Sequence, residues 1–506
     1  MSHPKQISIL LCLTLFFLCG CSTDDALVEE SKGTTETTAE SVNVVFRLQS
    51  NQTSIVTRAT TESGDGEDPG LPAEYKVNNA RVYFFDSNTK LFSKSVELKD
   101  LTPDPAIGWV YEASPISAPQ GIFDIFVVAN SNREINKETE DEFLADIDSQ
   151  TYTDGELIDV SKGLVMANRA VANLNTEIKP ENKADKVKTI QVVLERVVAR
   201  LDVGVKKSSF ELTDDGGHTY AIIKISDFYV VNYPRSYYTY RHIASLNTLK
   251  EPVWTMPTNF GDISYDQQHN TYVIDPYFFN KKADAAGFSN QDNYYANFYG
   301  KVSDPNGVKW KALTAPANPS EDVKYVTSYC LENCMLAPAQ KNGYSTGVLF
   351  KATMEPYNNV YRLNSAGNLE LVTDKTQYAD VLHYYDYRFF NSAAALEAYV
   401  KQSMPGATTV EYEAQKFAKT DSGYHCYYIS WVKHLDNFND YLMGTMEFAV
   451  VRNNLYSMTV VSVGDLGFGG DGKIVPDVDI PDEGESKLKV ILNVKKWIQR
   501  NIDVKL

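Results

Sequence analysis

Apolar and polar positions alternate in short runs along most of the chain, and turn-forming residues separate the runs. In the first such run Val42, Val44, Phe46 and Leu48 share one face, because side chains two positions apart point to the same side of an extended backbone. Similar strand signals follow at residues 80–86, 122–129, 190–203, 222–231, 325–331, 347–354, 424–432, 447–463 and 488–494. This pattern predicts an all-β protein built from packed sheets.

Composition supports the strand-rich prediction and bounds the number of domains. The chain has 506 residues, of which 12% are aromatic, and the 32 tyrosines favour strands over helices. Helix candidates are short and few, at residues 137–147 and 393–401. The length fits two or three domains. The formal net charge of −18 argues against a nucleic-acid partner, which needs a basic patch.

The amino-terminal segment, residues 1–20, reads as a signal peptide. Lys5 supplies a basic start, and the apolar run from Ile7 to Leu18 is too short to cross a bilayer. The run ends in Leu18-Cys19-Gly20-Cys21, which resembles a lipobox, so Cys21 is expected to become a lipid-bearing first residue. Ser22 follows in place of Asp, and this favours the outer membrane. The alternative is an ordinary signal peptide.

Three cysteines remain in the chain beyond Cys21: Cys330, Cys334 and Cys426. One pair could form a disulfide in an oxidising compartment, but the spacing does not say which. We expect these residues to act mainly as small buried apolar side chains. The Cys330-x-x-x-Cys334 spacing lacks a second pair of ligands, so no metal site is predicted.

Two phosphate-binding motifs occur and are rejected. Gly467-x-Gly469-x-x-Gly472 matches a dinucleotide pattern, and Gly472-Lys473 completes most of a P-loop. A P-loop needs Ser or Thr next, where Ile474 stands, and both motifs need a following helix. The histidines are scattered and no G-x-S-x-G elbow occurs. We therefore predict no catalytic residue, no cofactor and no enzyme activity.

Several segments in order along the chain resemble the fimbrillin family, the major subunits of Bacteroidales type V pili. The most specific is Val-Arg-Asn-Asn-x-Tyr at Val451 to Tyr456. The carboxy-terminal part is most similar to shaft subunits of short, or minor, fimbriae. The segments that carry the resemblance are Ala80 to Asp86, Gly121 to Asn130, Leu194 to Val203, Ser328 to Cys334, Tyr344 to Met354, Tyr427 to His434 and Met446 to Val463.

The resemblance implies two tandem transthyretin-like β-sandwich domains with few short helices. Residues 21–58 would then form a propeptide containing the first strand, 59–235 the amino-terminal domain, and 236–506 the carboxy-terminal domain with a donor tail. The resemblance also implies proteolysis between Arg58 and Ala59, in the loop after the first strand. The precursor is expected as an outer-membrane lipoprotein and the mature protein in a cell-surface fimbria.

Donor-strand exchange is the assembly mechanism that the resemblance implies. Cleavage would free the first strand with its apolar face, and the tail of a neighbouring subunit would replace it. The expected donor residues are Ile498, Ile502, Val504 and Leu506. The expected partners are further copies of the chain, anchor and tip subunits, an Arg-specific protease, the outer membrane through the precursor's lipid, and a surface receptor.

Three alternatives to a shaft subunit stay open at this point. One is an accessory subunit of the same pilus, either its anchor or its tip. Another is a monomeric surface lipoprotein that binds glycans through Tyr237, Tyr238 and Tyr240. The last is a hydrolase without a recognisable motif.

Overall fold

A computed structural model describes most of the chain from Ser41 to Lys496, and its strands dominate. The described residues are 41–50, 70–149, 158–180, 187–246, 252–255, 265–266, 271–278, 298–299, 309–334, 344–406, 414–434, 446–469 and 488–496. The α-helices within them are α1 (Glu140–Leu144) and α2 (Ala393–Ser403). Within the same ranges, no helix combines the length and the hydropathy that crossing a membrane requires.

The strands are short to medium in length and follow one another closely. Up to residue 246 they are β1 (Ser41–Gln49), β2 (Ala80–Asp86), β3 (Phe92–Leu98), β4 (Thr102–Pro103), β5 (Val110–Glu112), β6 (Ile116–Pro119), β7 (Gly121–Ala129), β8 (Ile147–Ser149), β9 (Met166–Asn168), β10 (Thr176–Ile178), β11 (Lys188–Arg196), β12 (Val198–Val205), β13 (Phe210–Thr213), β14 (Thr219–Val231), β15 (Tyr233–Pro234), β16 (Ser236–Tyr238) and β17 (His242–Leu246).

The remaining described strands are β18 (Pro252–Thr255), β19 (Tyr265–Asp266), β20 (Thr271–Ile274), β21 (Phe298–Tyr299), β22 (Lys311–Ala312), β23 (Val326–Leu331), β24 (Gly347–Pro356), β25 (Val360–Leu363), β26 (Leu369–Leu371), β27 (Val381–Tyr385), β28 (Arg388–Phe390), β29 (Gln415–Thr420), β30 (Gly423–Trp431), β31 (Asn454–Val463) and β32 (Leu488–Lys496).

The first sandwich is a curled sheet around one apolar core. Its described strands run in the order β3-β2-β7-β9-β11-β1-β5-β4, with β10 on β7 and β6 on β1. Val44, Phe84, Ile125 and Val192 are buried in this core. The opposite face of β2 and β7 is also covered, because Phe143 of α1 packs there in a second apolar cluster.

The second sandwich packs two sheets face to face. One has the order β23-β12-β31-β32, and the other has β13-β14-β24-β30-β29-β27-β28-β25-β26 with β22 on β14. Leu201 and Met458 from the first sheet meet Phe228, Phe350 and other buried side chains from the second. Smaller pairings among the described strands join β15 to β21, β16 to β8, and β17 to β18 and β20. The all-β prediction with two sandwiches and few short helices is confirmed.

The apolar run at residues 190–203 forms two strands that belong to different sheets. β11 ends at Arg196 and β12 begins at Val198, while the N–H of Val197 donates to the carbonyl of Val165 at 3.0 Å. β12 pairs with β23 and β31, and β14 pairs with β24. The chain thus passes from one core to the other at residues 196–198. This crossing is made in an extended, apolar segment without a turn residue to mark it, and the domain boundary at 235/236 stays a prediction.

The helices lie where their predicted segments placed them and begin at polar caps. Thr139 accepts a hydrogen bond from the N–H of Glu142 at the start of α1, and Ser392 accepts from Ala395 at the start of α2. These contacts satisfy backbone donors that a helix start otherwise leaves unpaired.

The strand predicted over 447–463 begins only at Asn454, because Asn453 has a left-handed backbone with φ 59°.

Candidate functional site

The first strand, β1, is inserted in the interior of the first sandwich. It runs parallel to β11, where Val44 lies opposite Lys188 and Gln49 opposite Val193. On its other side it pairs antiparallel with β6 and then with β5. Strands β6 and β5 are separated along the chain by residues 113–115, and β1 spans both. The most amino-terminal described strand therefore has hydrogen-bonded neighbours on both sides.

One face of β1 fills the core of the first sandwich. Val44, Phe46 and Leu48 are fully buried, and Val42 is partly buried against the same core. The Phe46 ring meets the edge of Phe84 with centroids 6.2 Å apart. Burying three such side chains contributes about 5 to 9 kcal/mol. The face that the sequence pattern predicted is thus the one that lies against the core.

Polar contacts fix β1 at its carboxy-terminal end. Arg47 donates to the carboxylate of Asp104 at 2.7 Å, and both side chains are partly buried. The backbone N–H and the hydroxyl of Ser50 donate to the carbonyl of Trp109, each at 3.0 Å. The same hydroxyl lies 2.6 Å from the carbonyl of Tyr75. These contacts hold the end of β1 where the chain leaves towards residues 51–69.

Removal of β1 would leave a groove between β11 and the pair β5 and β6. The groove walls include the apolar side chains of Ile190, Val192 and Ile116, which are buried in the intact sandwich. The backbone groups of β11 and of β5 and β6 that now bond to β1 would lose their partners. Exposed apolar side chains together with an unpaired sheet edge form a template for another strand.

The other residues predicted for processing and exchange lie outside the described residues. They are Cys21, Arg58, Ala59, Ile498, Ile502, Val504 and Leu506. The strand that precedes the predicted donor tail, β32, is described. It pairs antiparallel with β31 over its whole length, from Leu488 opposite Val463 to Lys496 opposite Asn454.

A buried polar network joins the first sandwich to the second, and the sequence pattern did not predict it. Glu74 is fully buried and accepts from Tyr329 Oη at 2.6 Å and from Arg200 Nη1 at 3.2 Å. Arg200 also makes a bidentate pair with Asp202. Arg196, at the end of β11, donates to the Glu74 carbonyl at 3.0 Å. Charged groups taken out of water need such partners.

The Val-Arg-Asn-Asn-x-Tyr motif lies at the same junction. Arg452 Nη2 lies 2.6 Å from Glu332 Oε2, and both residues are buried. Asn453 accepts from Arg196 Nη1 at 3.2 Å, which connects the motif to β11. Tyr456 hydrogen-bonds His434 at 2.8 Å, and burial lowers the pKa of His434 to about 4. The motif therefore builds a structural joint and leaves this histidine neutral.

The cysteines and glycines that the sequence offered as possible chemical sites serve to pack the structure. Cys330, Cys334 and Cys426 are buried thiols that form no disulfide with one another, and burial raises the pKa of Cys330. Cβ atoms added at Gly467 or Gly469 would collide with backbone carbonyls of neighbouring strands, so both glycines permit close packing. Among the described side chains, no group of three or more His, Cys, Asp and Glu is placed to hold a metal ion.

The tyrosine platform suggested for glycan binding is not a surface. Tyr237 and Tyr240 are 2% and 1% exposed. Tyr238 stacks on His242 with ring centroids 3.7 Å apart. Tyr240 packs on Phe126 beside the first sandwich, and Tyr237 packs in a cluster with Val198 and Tyr329 of the second. The alternative in which Tyr237, Tyr238 and Tyr240 form an exposed platform therefore does not hold, because two of the three rings are buried.

Comparison with known proteins places two regions of the chain in named families. Residues 30–196 match the family model described as "Major fimbrial subunit protein (FimA)". Residues 422–503 match "Major fimbrial subunit protein type IV, Fimbrillin, C-terminal". No curated protein matches the chain significantly.

Among solved structures, a fimbrilin (fimA) from Porphyromonas gingivalis W83 is 13% identical, covering 92% of this chain and 99% of its own, with a TM-score of 0.39. The tip fimbrial protein Mfa3 from Porphyromonas gingivalis, with a C-terminal truncation, is 11% identical to this chain, with a TM-score of 0.37. The match covers 90% of this chain and 100% of Mfa3. A fimbrial assembly protein from Parabacteroides distasonis is 13% identical to this chain, with a TM-score of 0.25. The match covers 66% of this chain and 99% of that protein.

Proposed function

Since the chain belongs to the fimbrillin family and is a structural fimbrial subunit rather than an enzyme, we propose that it forms the pilus shaft by donor-strand exchange. In this proposal the precursor is exported as a lipoprotein on Cys21 and is cleaved between Arg58 and Ala59. β1 then leaves the first sandwich. The tail of a neighbouring subunit, with Ile498, Ile502, Val504 and Leu506, takes its place.

The position of β1 is the observation that carries the proposal. β1 is paired on both sides and buried on one face, yet it belongs to the segment before the Arg58–Ala59 bond. After cleavage of that bond, β1 would be held only by non-covalent contacts. A tail with alternating apolar residues matches the alternation of β1, since both present every second side chain to the groove.

Arg47 offers a natural comparison with Arg58. Arg47 lies within β1, in extended hydrogen-bonded backbone, and its guanidinium pairs with Asp104 at 2.7 Å. Proteases preferentially cut exposed loops, so a strand in the middle of a sheet is a poor substrate. Arg58 lies between β1 and a Gly-rich stretch at residues 64–70. We therefore expect cleavage at Arg58 and not at Arg47.

Cells expressing the wild-type chain, Arg58→Ala or the matched control Arg47→Lys test the proposal. Arg47→Lys keeps the charge beside Asp104 but removes an arginine. We expect wild-type and Arg47→Lys filaments whose subunits begin at Ala59 and carry no metabolic lipid label. Arg58→Ala should accumulate as a lipid-labelled precursor without filaments. The readouts are N-terminal sequencing, lipid labelling and electron microscopy.

Four outcomes would contradict parts of the proposal. Filaments made of Arg58→Ala subunits, or wild-type filaments whose subunits begin at Cys21, would rule out cleavage as the trigger. If Arg47→Lys is processed normally but forms no filaments, the Arg47–Asp104 pair of β1 acts in assembly itself and not through cleavage. An unlabelled Arg58→Ala precursor would rule out lipidation while leaving the cleavage step intact.

A further inference from the structure

An open cavity of about 570 Å³ lies at one end of the second sandwich, where three turns converge. The first turn, residues 214–218, joins β13 to β14. The second, residues 357–359, joins β24 to β25, and the third, residues 386–387, joins β27 to β28. The cavity is separate from β1, from β32 and from the junction network, and none of the functions discussed above uses it.

Tyrosine rings form the apolar walls of the cavity. Tyr220, Tyr357, Tyr361 and Tyr387 all line it. Tyr357 stands at the surface with 47% of the residue exposed. Tyr220 and Tyr387 meet edge to face with centroids 5.2 Å apart. A tyrosine offers a flat apolar face and a polar tip on one rigid side chain, which suits a ligand that is itself amphipathic.

The cavity rim holds both hydrogen-bond donors and acceptors. Carboxylates of Asp214, Asp215 and Asp386 line it together with Arg388 and the amide of Asn359. A hydroxyl group donates one hydrogen bond and accepts others, so a polyhydroxylated ligand needs both kinds of partner. The lining is more polar than apolar, as a site for a ligand rich in hydroxyl groups requires.

Asn359 gives the cavity an unused acceptor. Its Nδ2 donates to the carbonyl of Tyr387 at 2.7 Å, which fixes the orientation of the amide. Its Oδ1 is buried and has no hydrogen-bond partner among the described residues. An orphaned buried carbonyl costs about 1 to 3 kcal/mol, and a ligand hydroxyl that opened the turn enough to reach this oxygen would relieve that cost.

The turns that shape the cavity are held in uncommon backbone conformations. Asn358, Asp386 and Tyr387 have φ values of 54°, 50° and 59°, in the left-handed region. For a bulky residue such as tyrosine this conformation is rare. The Tyr387 hydroxyl donates to Asp215 at 3.1 Å and ties the third turn to the first. The first and third turns are thus tied to each other, which lowers the entropic cost of ordering them on binding.

The carboxylates disfavour an anionic ligand and are themselves already partnered. Asp214 accepts from the N–H groups of Gly216 and His218, at 2.9 and 2.8 Å. Asp386 accepts from Arg388 at 2.8 Å, and Asp215 accepts from Tyr387. Because each carboxylate has a donor, none requires a cation from the ligand. The excess of three aspartates over one arginine among the lining residues repels sulfate, phosphate and carboxylate groups.

We propose that this cavity is a binding site for a neutral oligosaccharide, which stacks on the tyrosine rings and hydrogen-bonds the amides and carboxylates of the three turns. The site would give each subunit its own adhesive contact. In a filament of many subunits, weak individual contacts add up through high effective concentration. The binding site itself does not depend on polymerisation, and so its test does not depend on the proposed assembly mechanism.

The test uses the purified full chain on an array of neutral, sialylated and sulfated oligosaccharides, followed by calorimetric titration of the strongest neutral probe. Tyr357→Ala removes an exposed ring from the rim of the cavity. Tyr325→Ala is the matched control, since Tyr325 is similarly exposed at 42% and lies outside the cavity. We expect neutral probes to bind, with affinity at least tenfold weaker in Tyr357→Ala and unchanged within about twofold in Tyr325→Ala.

Asn359→Ala provides a second variant, and melting temperatures establish that each variant is folded. The Asn359→Ala substitution should weaken binding of the same neutral probe at least threefold. Absence of binding to every neutral probe would overturn the proposal. So would unchanged affinity in a folded Tyr357→Ala, or a preference for sialylated or sulfated probes. Binding of a lysine-rich peptide in place of the saccharides would show that the aspartates recognise a cationic partner instead.

Discussion

At the scale of single residues, a buried carboxylate pair in the first sandwich is the most informative feature. Asp124 on β7 is fully buried and pairs with Lys90, and its Oδ1 accepts from Ser87 Oγ at 2.9 Å. Glu140 at the start of α1 lies 3.4 Å from the Lys90 ammonium. Burial, together with the neighbouring Asp124 carboxylate, raises the pKa of Glu140 to about 7. Two carboxylates here share a single lysine.

This pair predicts a pH dependence of stability with a definite sign. The folded protein holds a proton on Glu140 up to about pH 7, whereas the unfolded chain releases it near 4.5. The free energy of unfolding should therefore fall as pH rises between these values, by at most about 3 kcal/mol. The pKa of Asp124 is lowered, so the stability that its ionised carboxylate contributes is lost only in more acidic solution.

Glu140→Gln tests this dependence, because the amide stays neutral at every pH. We expect the variant to lose the decline between about pH 5 and pH 7 and to exceed the wild type in stability at about pH 8. Glu142→Gln, in the same helix and exposed, is the control. Urea unfolding across this range is the measurement. A wild-type curve that is flat or rising would contradict the assignment of Glu140.

At the scale of elements, β1 and β2 contribute to the same core but would have different fates. Phe46 on β1 and Phe84 on β2 are both fully buried and touch each other. If β1 leaves on assembly, Phe46 stabilises only the precursor. Phe84 belongs to the part of the sandwich that stays, so it should stabilise the precursor and the filament alike.

The paired variants Phe46→Ala and Phe84→Ala separate these roles. Each should destabilise the uncleaved precursor by about 3 to 5 kcal/mol, since each leaves a cavity in a packed core. Filaments assembled from Phe46→Ala subunits should resist denaturant as well as wild-type filaments do. Filaments assembled from Phe84→Ala subunits should resist it less well. Denaturation of precursor and filament measures both. Filaments weakened equally by the two substitutions would mean that β1 stays in place.

At the scale of the whole molecule, the buried junction makes the two sandwiches depend on each other. Glu74 stands before β2 in the chain, while Arg200 and Tyr329 belong to strands of the second sandwich. The core of the first sandwich and that of the second are thus connected through buried charged groups. We expect the sandwiches to unfold together.

Glu74→Ala should cost about 3 to 5 kcal/mol, because it leaves Arg200 and the Tyr329 hydroxyl short of an acceptor in a buried site. Glu112→Ala, which removes an exposed carboxylate from β5, should change stability by less than about 0.5 kcal/mol. Chemical denaturation followed by fluorescence gives the values. Equal small effects from both substitutions would show that the junction contributes little, and two separated transitions in the wild type would show independent sandwiches.

The sequence by itself determined where most of the longer strands lie and which face of β1 is buried. Alternation at Val44, Phe46 and Leu48 is a local property, and it specifies the inward face whatever the partner strands are. The caps at Thr139 and Ser392 are equally local, so both helices could be predicted. For the same reason the apolar face of β1 was predictable, although its parallel pairing with β11 was not.

Only the tertiary structure decided which strands pair and which distant side chains meet. The run at 190–203 divides between two sheets because each half finds different partners, and no local signal marks that division. Tyr240 lies inside because Phe126 and Phe143 pack against it, while Tyr220, Tyr357 and Tyr387 meet at a surface cavity because three turns converge. Glu74 and Tyr329 are 255 residues apart in the chain. Contacts at such separations depend on the packing of whole sheets, which local periodicity does not encode.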